Sequence, residues 1–170
     1  MNIALLLIRV VVGGILAAHG SQKVFGWFGG HGLRATGQFL ESLGFRPGHP
    51  YALLLGGSEL IGGLALGSGF VTPLAAAAVA AVMLAAIAVV HWQKGFLDTG
   101  GGYEFPLVLA VAAIAMAFSG PGRWSIDHAV DWTLSGEKWG IVAIVIAVII
   151  SGAVATARAL RLRRHGPVAA

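Results

Sequence analysis

A long apolar stretch near the start of the chain, residues 3–20, constrains the fold more than any other feature. An α-helix rises about 1.5 Å per residue, so about 20 residues cross the hydrocarbon core of a bilayer. The stretch is therefore long enough to span a membrane. It also contains Arg9, and an arginine at the centre of a membrane helix costs about 2.5–3.5 kcal/mol on insertion-based scales. Arg9 therefore needs a compensating partner or a route to the surface.

The composition places the whole chain in a membrane. Of its 170 residues, 57% are hydrophobic and 11% are charged, whereas about 25% are charged in soluble domains. The first stretch lacks the positively charged n-region and the small-residue cleavage site of a signal peptide, so we expect it to be retained as a helix. The absence of cysteine excludes disulfides, thiolate metal sites and a redox dithiol. Redox chemistry here would need a bound organic cofactor or another subunit.

Five apolar segments predict an all-α integral membrane protein, with a four-helix transmembrane bundle and a fifth C-terminal transmembrane helix. The segments are residues 3–20, 51–66, 74–92, 105–119 and 139–156. The predicted organisation is a four-helix core (1–127), an interfacial connector (128–138), the fifth helix (139–160) and a basic tail (161–170). A short amphipathic helix over residues 33–43 is expected to lie on the membrane surface.

The basic residues predict the orientation of the protein. Five spans put the termini on opposite sides, and cytoplasmic loops are enriched in Lys and Arg. The arginine-rich C-terminus therefore predicts a bacterial plasma-membrane protein with its N-terminus outside and its C-terminus in the cytoplasm. The net charge of +4 follows this membrane pattern, so we expect the lipid bilayer and no nucleic acid as partner. Glycines in the second span permit close packing within one chain or between chains, which leaves a homo-oligomer open.

The two charged residues within the apolar spans, Arg9 and Glu59, are predicted to contact each other. Arg9 lies about 9 Å from the outer end of the first span and Glu59 about 12 Å from that of the second, so the two can pair. The alternatives are that Arg9 extends to the surface and that Glu59 is a neutral hydrogen-bonding residue between helices.

A second polar layer is predicted at the other membrane face. It combines His19 and Lys23 from the first span with His91 from the third and Glu104 from the fourth. With the charges above, the candidate ligand-binding residues are Arg9, His19, Lys23, Glu59, His91 and Glu104. Such a layer could bind an anion, a carboxylate or a quinone head, with histidine relaying a proton. The alternative is that these residue types simply populate the headgroup region. No ligand spacing supports a metal site on His19 and His91.

A motif after the fourth span has a structural interpretation. Gly120, Pro121 and Gly122 should end the helix, and Arg123 can pair with Asp127 at four-residue spacing. Ser125 can cap a following helix.

The order of these residues resembles the DoxX family of small bacterial inner-membrane proteins, which is related to the DoxD subunit of a thiosulfate:quinone oxidoreductase. The residues that carry the resemblance are Arg9, Gly13, His19, Gly20, Lys23, Gly56, Glu59, Gly62, Gly63, Pro73, His91, Tyr103, Glu104 and the segment 120–127. The resemblance covers about residues 3–127. It implies a four-helix membrane core in a protein linked to sulfur-redox or oxidative-stress systems.

Three functions follow. The first is a non-catalytic subunit or partner of a membrane redox complex, which holds a quinone or a sulfur anion; any enzymatic role would be that of an accessory oxidoreductase subunit. No cofactor motif is evident, so such a protein would bind, orient and pass protons. The second is a membrane scaffold without a redox role. The third is a small-molecule carrier, for which only the glycine-broken second span offers support.

Overall fold

The computed structural model describes residues 2–132 and 134–165, with the side chain of residue 165 excepted. Its helices are α1 (Asn2–Val24), α2 (Gly32–Ser42), α3 (Gly48–Ser68), α4 (Thr72–Ala86), α5 (Glu104–Ser119), α6 (Ile126–Ala129) and α7 (Glu137–His165). Beyond Ala86, α4 continues as a π-helical turn, Ile87–His91, and a 3₁₀ turn, Trp92–Lys94. A further 3₁₀ turn is Asp98–Gly100, and the described residues contain no strand.

The predicted all-helical membrane fold is confirmed. Four helices are long and apolar enough to cross a membrane, and α5 is a shorter apolar helix. Its 16 residues span about 24 Å. It nevertheless crosses the bundle: Gly101, just before it, contacts His91, and Asp127, just after it, contacts Thr72 at the opposite end of α4. We call these the Lys94 end and the Asp127 end of the bundle.

Helix α4 forms the centre of the bundle. It packs against α3, α5 and α7, and its buried face consists mainly of alanines. Small side chains let neighbouring helix backbones approach closely, which favours association in lipid, where apolar burial alone gives no driving force. Because α7 packs on α4 and α5, the fifth helix joins the same bundle.

Glycines bring α1 and α3 into backbone contact. A Cβ atom on Gly13 would lie 2.5 Å from the carbonyl oxygen of Gly63, and one on Gly63 would lie 2.6 Å from the nitrogen of Ala17. A Cβ atom on Gly20 would collide with the backbone of Leu60. These contacts define an antiparallel register in which Gly20 faces Leu60 and Gly13 faces Gly67. The other face of α3, with Leu53, Leu54, Ile61 and Leu64, is exposed.

The predicted surface helix corresponds to α2, which packs against α3. Its buried Leu40 contacts Phe45 and Ala52 in a small apolar cluster that also includes Val154 of α7. Helix α7 extends to His165, so residues 161–165 of the predicted basic tail are helical. Residues 166–170 of that tail, Thr133 of the predicted connector and Met1 lie outside the described residues.

Candidate functional site

The polar residues inside the bundle form two separate groups at different levels. One is an ion pair between α1 and α3, formed by Lys23 and Glu59. The other, which we call the Arg9 cluster, joins Arg9 and Asp127 to the loops at the Asp127 end.

The ammonium nitrogen of Lys23 lies 2.5 Å from Oε2 of Glu59. The Glu59 side chain is 5% exposed and that of Lys23 is 26% exposed. Glycine makes the pair possible, because Gly56 lies so close to Lys23 that a Cβ atom there would be 3.0 Å from the lysine Cβ. Among the residues that the structure describes, this is the one ion pair within 4 Å. A charge-assisted hydrogen bond offsets part of the cost of holding two charges away from water.

His19 lies one turn before Lys23 on α1 and is half-buried. Its ring contacts Phe105 at the start of α5, with ring centroids 5.9 Å apart. Residues four apart share a helix face, so His19 and Lys23 are neighbours on α1. The ion pair and this imidazole together form a polar site between α1, α3 and the first turn of α5, which we call the Lys23 site.

The predicted pairing of Arg9 with Glu59 is wrong. The α1–α3 register places Glu59 level with Ser21, twelve residues from Arg9, which is about 18 Å along the helix. The depth estimate failed because it assumed that the outer ends of the two spans are level. In the structure the last residue of α3, Ser68, is level with Val12, so the first turns of α1 extend past the end of α3.

Arg9 is fully buried and does not extend to the surface. Its Nε donates to the carbonyl oxygen of Gly67 at 2.9 Å. One terminal nitrogen donates to the carbonyl oxygen of Pro121 at 2.6 Å, and the other donates to the carbonyl oxygen of Trp124. The carbonyl of Gly67 belongs to the last turn of α3, where backbone acceptors lack helical partners and the helix dipole is negative. The guanidinium is therefore compensated by backbone oxygens from two segments.

The carboxylate of Asp127 caps α4 across the fold. Oδ1 accepts from the backbone N–H of Val71 at 2.6 Å, and Oδ2 accepts from the N–H and the hydroxyl of Thr72 at 2.9 and 2.7 Å. The two backbone N–H groups belong to the start of α4, where such donors lack helical partners and the helix dipole favours a negative charge. The predicted Arg123–Asp127 pair is wrong, because Asp127 is completely buried and Arg123 is exposed.

Residues 120–125 of the 120–127 motif form the connection between α5 and α6, which lies beside the turn that contains Gly69. Helix α5 ends at Ser119, directly before Gly120, Pro121 and Gly122. The hydroxyl of Ser125 accepts from the N–H of His128 at 3.1 Å and so caps α6, the role that its position predicts. Gly69 has a φ of +68°, and a Cβ atom there would lie 2.5 Å from Arg9 Nη1, so this turn requires glycine.

Two residues of the predicted polar layer, His91 and Glu104, contact the segment between α4 and α5. His91 ends the π-helical turn of α4, and its Nδ1 lies 2.7 Å from the carbonyl oxygen of Gly101. Glu104 accepts from the N–H of Asp98 at 3.1 Å. These contacts are local to the loop between α4 and α5. They leave His19, Lys23 and Glu59 as the group that the fold brings together inside the bundle. Among the side chains of residues 2–132 and 134–164, no three His, Asp or Glu are grouped to hold a metal ion.

Sequence reasoning missed the contacts of the α7 arginines. Arg158 donates to the carbonyl oxygen of Leu43 at 2.7 Å, and Arg161 donates to that of Arg46. The arginine run predicts the topology of the protein, but the sequence offers no cue for which loop these arginines contact.

Comparison with known proteins places this bundle in a family. The family model described as DoxX matches residues 4–92, which is more than half of the chain. The chain belongs to the DoxX family. The Bacillus subtilis (strain 168) protein named "Putative oxidoreductase CatD" is a relative, 30% identical over 142 residues, which are 84% of this chain and 96% of the relative. No solved structure matches the chain.

The DoxX match contains the Lys23 site and Arg9 but not all of the candidate residues. His19, Lys23, Glu59 and His91 lie within residues 4–92, whereas Glu104 and the 120–127 motif lie beyond them. The resemblance predicted from the sequence extended to Asp127. The part of the chain that matches the DoxX model therefore comprises α1 to α4 with the π-helical turn.

Proposed function

We propose that this DoxX-family protein is a non-catalytic membrane subunit or partner of a redox system, and that it holds the polar head of a quinone or of a small sulfur anion beside Lys23. The observation that carries the proposal is the ion pair between Lys23 and Glu59. Ionisable groups within membrane-spanning helices are costly, and where they occur they commonly mark ligand or proton pathways.

The donor set at the Lys23 site suits these ligands. A lysine ammonium has three N–H donors, and Glu59 takes one of them. The carbonyl oxygen of a quinone and the oxygens of a sulfur anion are both acceptors. A bound quinone would supply the redox chemistry, while Lys23 would bind and orient its head and His19 would exchange a proton with it.

The name of the Bacillus subtilis relative supports a redox setting, because that protein is named as an oxidoreductase. The chain has no cysteine, so a thiol-based reaction cannot take place on it. A binding and positioning role beside a redox enzyme fits both facts.

The proposed location is the bacterial plasma membrane, with the Lys94 end in the cytoplasm. The basic residues at that end are Lys23, Arg34, Arg46, Lys94, Arg158, Arg161, Arg163 and Arg164. At the other end the exposed basic residues are Arg123 and Lys138. The positive-inside rule favours this orientation.

The proposal is tested by gentle detergent purification from native membranes, followed by mass spectrometry of the polypeptides and the extracted lipids. A stoichiometric quinone or a reproducible redox enzyme in the preparation is the expected result. A stable protein that contains no quinone and has no redox partner would contradict the proposal. In that case a scaffold or carrier role would be the better account.

A further inference from the structure

Arginines gather where the end of α7 meets the turn between α2 and α3. Arg158 and Arg161 bind the carbonyl oxygens of Leu43 and Arg46 in that turn. The guanidinium of Arg161 also lies over the ring of Tyr51, 5.7 Å from its centroid. These contacts bring the backbone of Arg46, whose side chain is exposed, beside the α7 arginines.

Arg164 extends this group along the helix. It is exposed and lies three residues after Arg161, so both project from one side of α7. We call Arg46, Arg158, Arg161 and Arg164 the arginine corner.

The arginine corner has no acidic partner among the described residues. No carboxylate there lies within 4 Å of any of its guanidinium groups. The nearby acid, Glu41 of α2, instead accepts from the backbone N–H of Gly48 at 2.7 Å. Each guanidinium has five N–H donors, and Arg158 and Arg161 each use one on a carbonyl oxygen. Like charges held together with unused donors favour a bound anion.

The level of the corner indicates the source of that anion. From Trp139, the first aromatic residue of α7, to Arg158 the helix rises about 28 Å, close to the roughly 30 Å of a hydrocarbon core. Arg161 and Arg164 therefore fall at the depth of lipid phosphates. The exposed Phe39 of α2 is a further side chain suited to the membrane interface on this side.

We propose that the arginine corner is a binding site for the phosphate of an anionic phospholipid. The proposal rests on the arrangement of α7 against the α2–α3 turn and is independent of the function proposed for the Lys23 site. The lipid would join the C-terminal helix to the surface helix at the Lys94 end.

The test is a lipid titration of the full-length protein in a mild zwitterionic-headgroup detergent. The ligands are phosphatidylglycerol, phosphatidylcholine with the same acyl chains, and inorganic phosphate, and the readout is the unfolding temperature. The variant Arg46→Gln with Arg164→Gln removes two charges whose side chains make no hydrogen bond in the described structure. The matched control is Arg123→Gln with Lys138→Gln, two exposed charges at the opposite end.

We expect saturable stabilisation by phosphatidylglycerol and none by the other two ligands at equal concentration. A basic residue near an anionic surface contributes about 1 kcal/mol, so the double variant should bind about 25-fold more weakly. The control pair should bind as the wild type does. Equal stabilisation by phosphatidylcholine, equal stabilisation by inorganic phosphate, or an unchanged affinity in the double variant would overturn the proposal.

Discussion

Lys23 and Glu59 form an ion pair of 2.5 Å between two helices that touch through glycines. The lysine stands near the end of α1, yet its charge is held against α3 instead of extending to the membrane surface. A charge is directed inward only where a fixed partner compensates it, and the register of α1 against α3 supplies that partner.

The Lys23–Glu59 ion pair predicts that replacing both residues costs less stability than replacing either one. Removing one partner of a buried pair costs about 3–5 kcal/mol, because the other charge is left unpaired. Lys23→Leu and Glu59→Leu should therefore each lower the apparent unfolding temperature strongly, and the double variant should recover most of that loss. Thermal unfolding of the purified proteins checks this. Losses that simply add in the double variant would show that the two residues do not interact.

The close glycine contact of the α1–α3 seam at Gly63 should not tolerate an added methyl group. In Gly63→Ala the new Cβ atom would meet the backbone of Ala17 and Gly13, and such overpacking costs about 1–3 kcal/mol. Gly57→Ala on the same helix is the matched control, since no atom lies within 4 Å of its Cβ position. The control should be neutral or gain about 0.5–1 kcal/mol from the higher helix propensity of alanine. Similar unfolding temperatures for the two variants would contradict the register.

Asp127 should matter for stability although it lies in a helix of only four residues, α6. Asp127→Asn keeps the shape but removes the charge and one accepting oxygen, so we expect a loss of about 2–4 kcal/mol as α4 loses its cap. Asp131→Asn, at an exposed residue just after α6, should change stability by less than about 0.5 kcal/mol. Denaturation of both variants in detergent is the measurement. Equal stabilities of the two variants would contradict the capping role of Asp127.

The proposed orientation can be tested with reporters. A reporter that is active only in the cytoplasm should be active when joined after Ala170 and inactive when inserted after Asp131, since α7 ends at the Lys94 end and Asp131 lies at the Asp127 end. The reverse pattern would place the Lys94 end outside and would contradict the positive-inside assignment.

Much of the fold can be predicted from the sequence, because hydropathy and breakers such as Gly120–Pro121–Gly122 act locally. The helices therefore fall close to their expected places. The partner of Glu59 cannot be predicted this way, since it depends on how far α1 extends past the end of α3. An offset of about ten residues between the start of α1 and the end of α3 makes the lysine, and not the arginine, the partner of Glu59. The correct contact requires the glycine register, which only the folded structure provides.

The partners of Asp127 illustrate the same limit. Spacing along the chain suggests Arg123, four residues away, whereas the fold offers the uncapped start of α4, 55 residues away. The start of α4 satisfies the buried carboxylate with three hydrogen bonds, two from backbone N–H groups and one from the hydroxyl of Thr72. That option appears only once α5 has returned the chain to the Asp127 end.

The most direct test of the Lys23 site is the quinone content of the double variant Lys23→Leu with Glu59→Leu. This variant should stay folded, since the unpaired charge is gone, but it lacks the polar site. We predict about one quinone per polypeptide in wild type purified from native membranes and a large loss of quinone in the double variant at equal protein yield. A double variant that retains its quinone would contradict the proposed role of Lys23, and a wild type that contains none would contradict the quinone as its ligand.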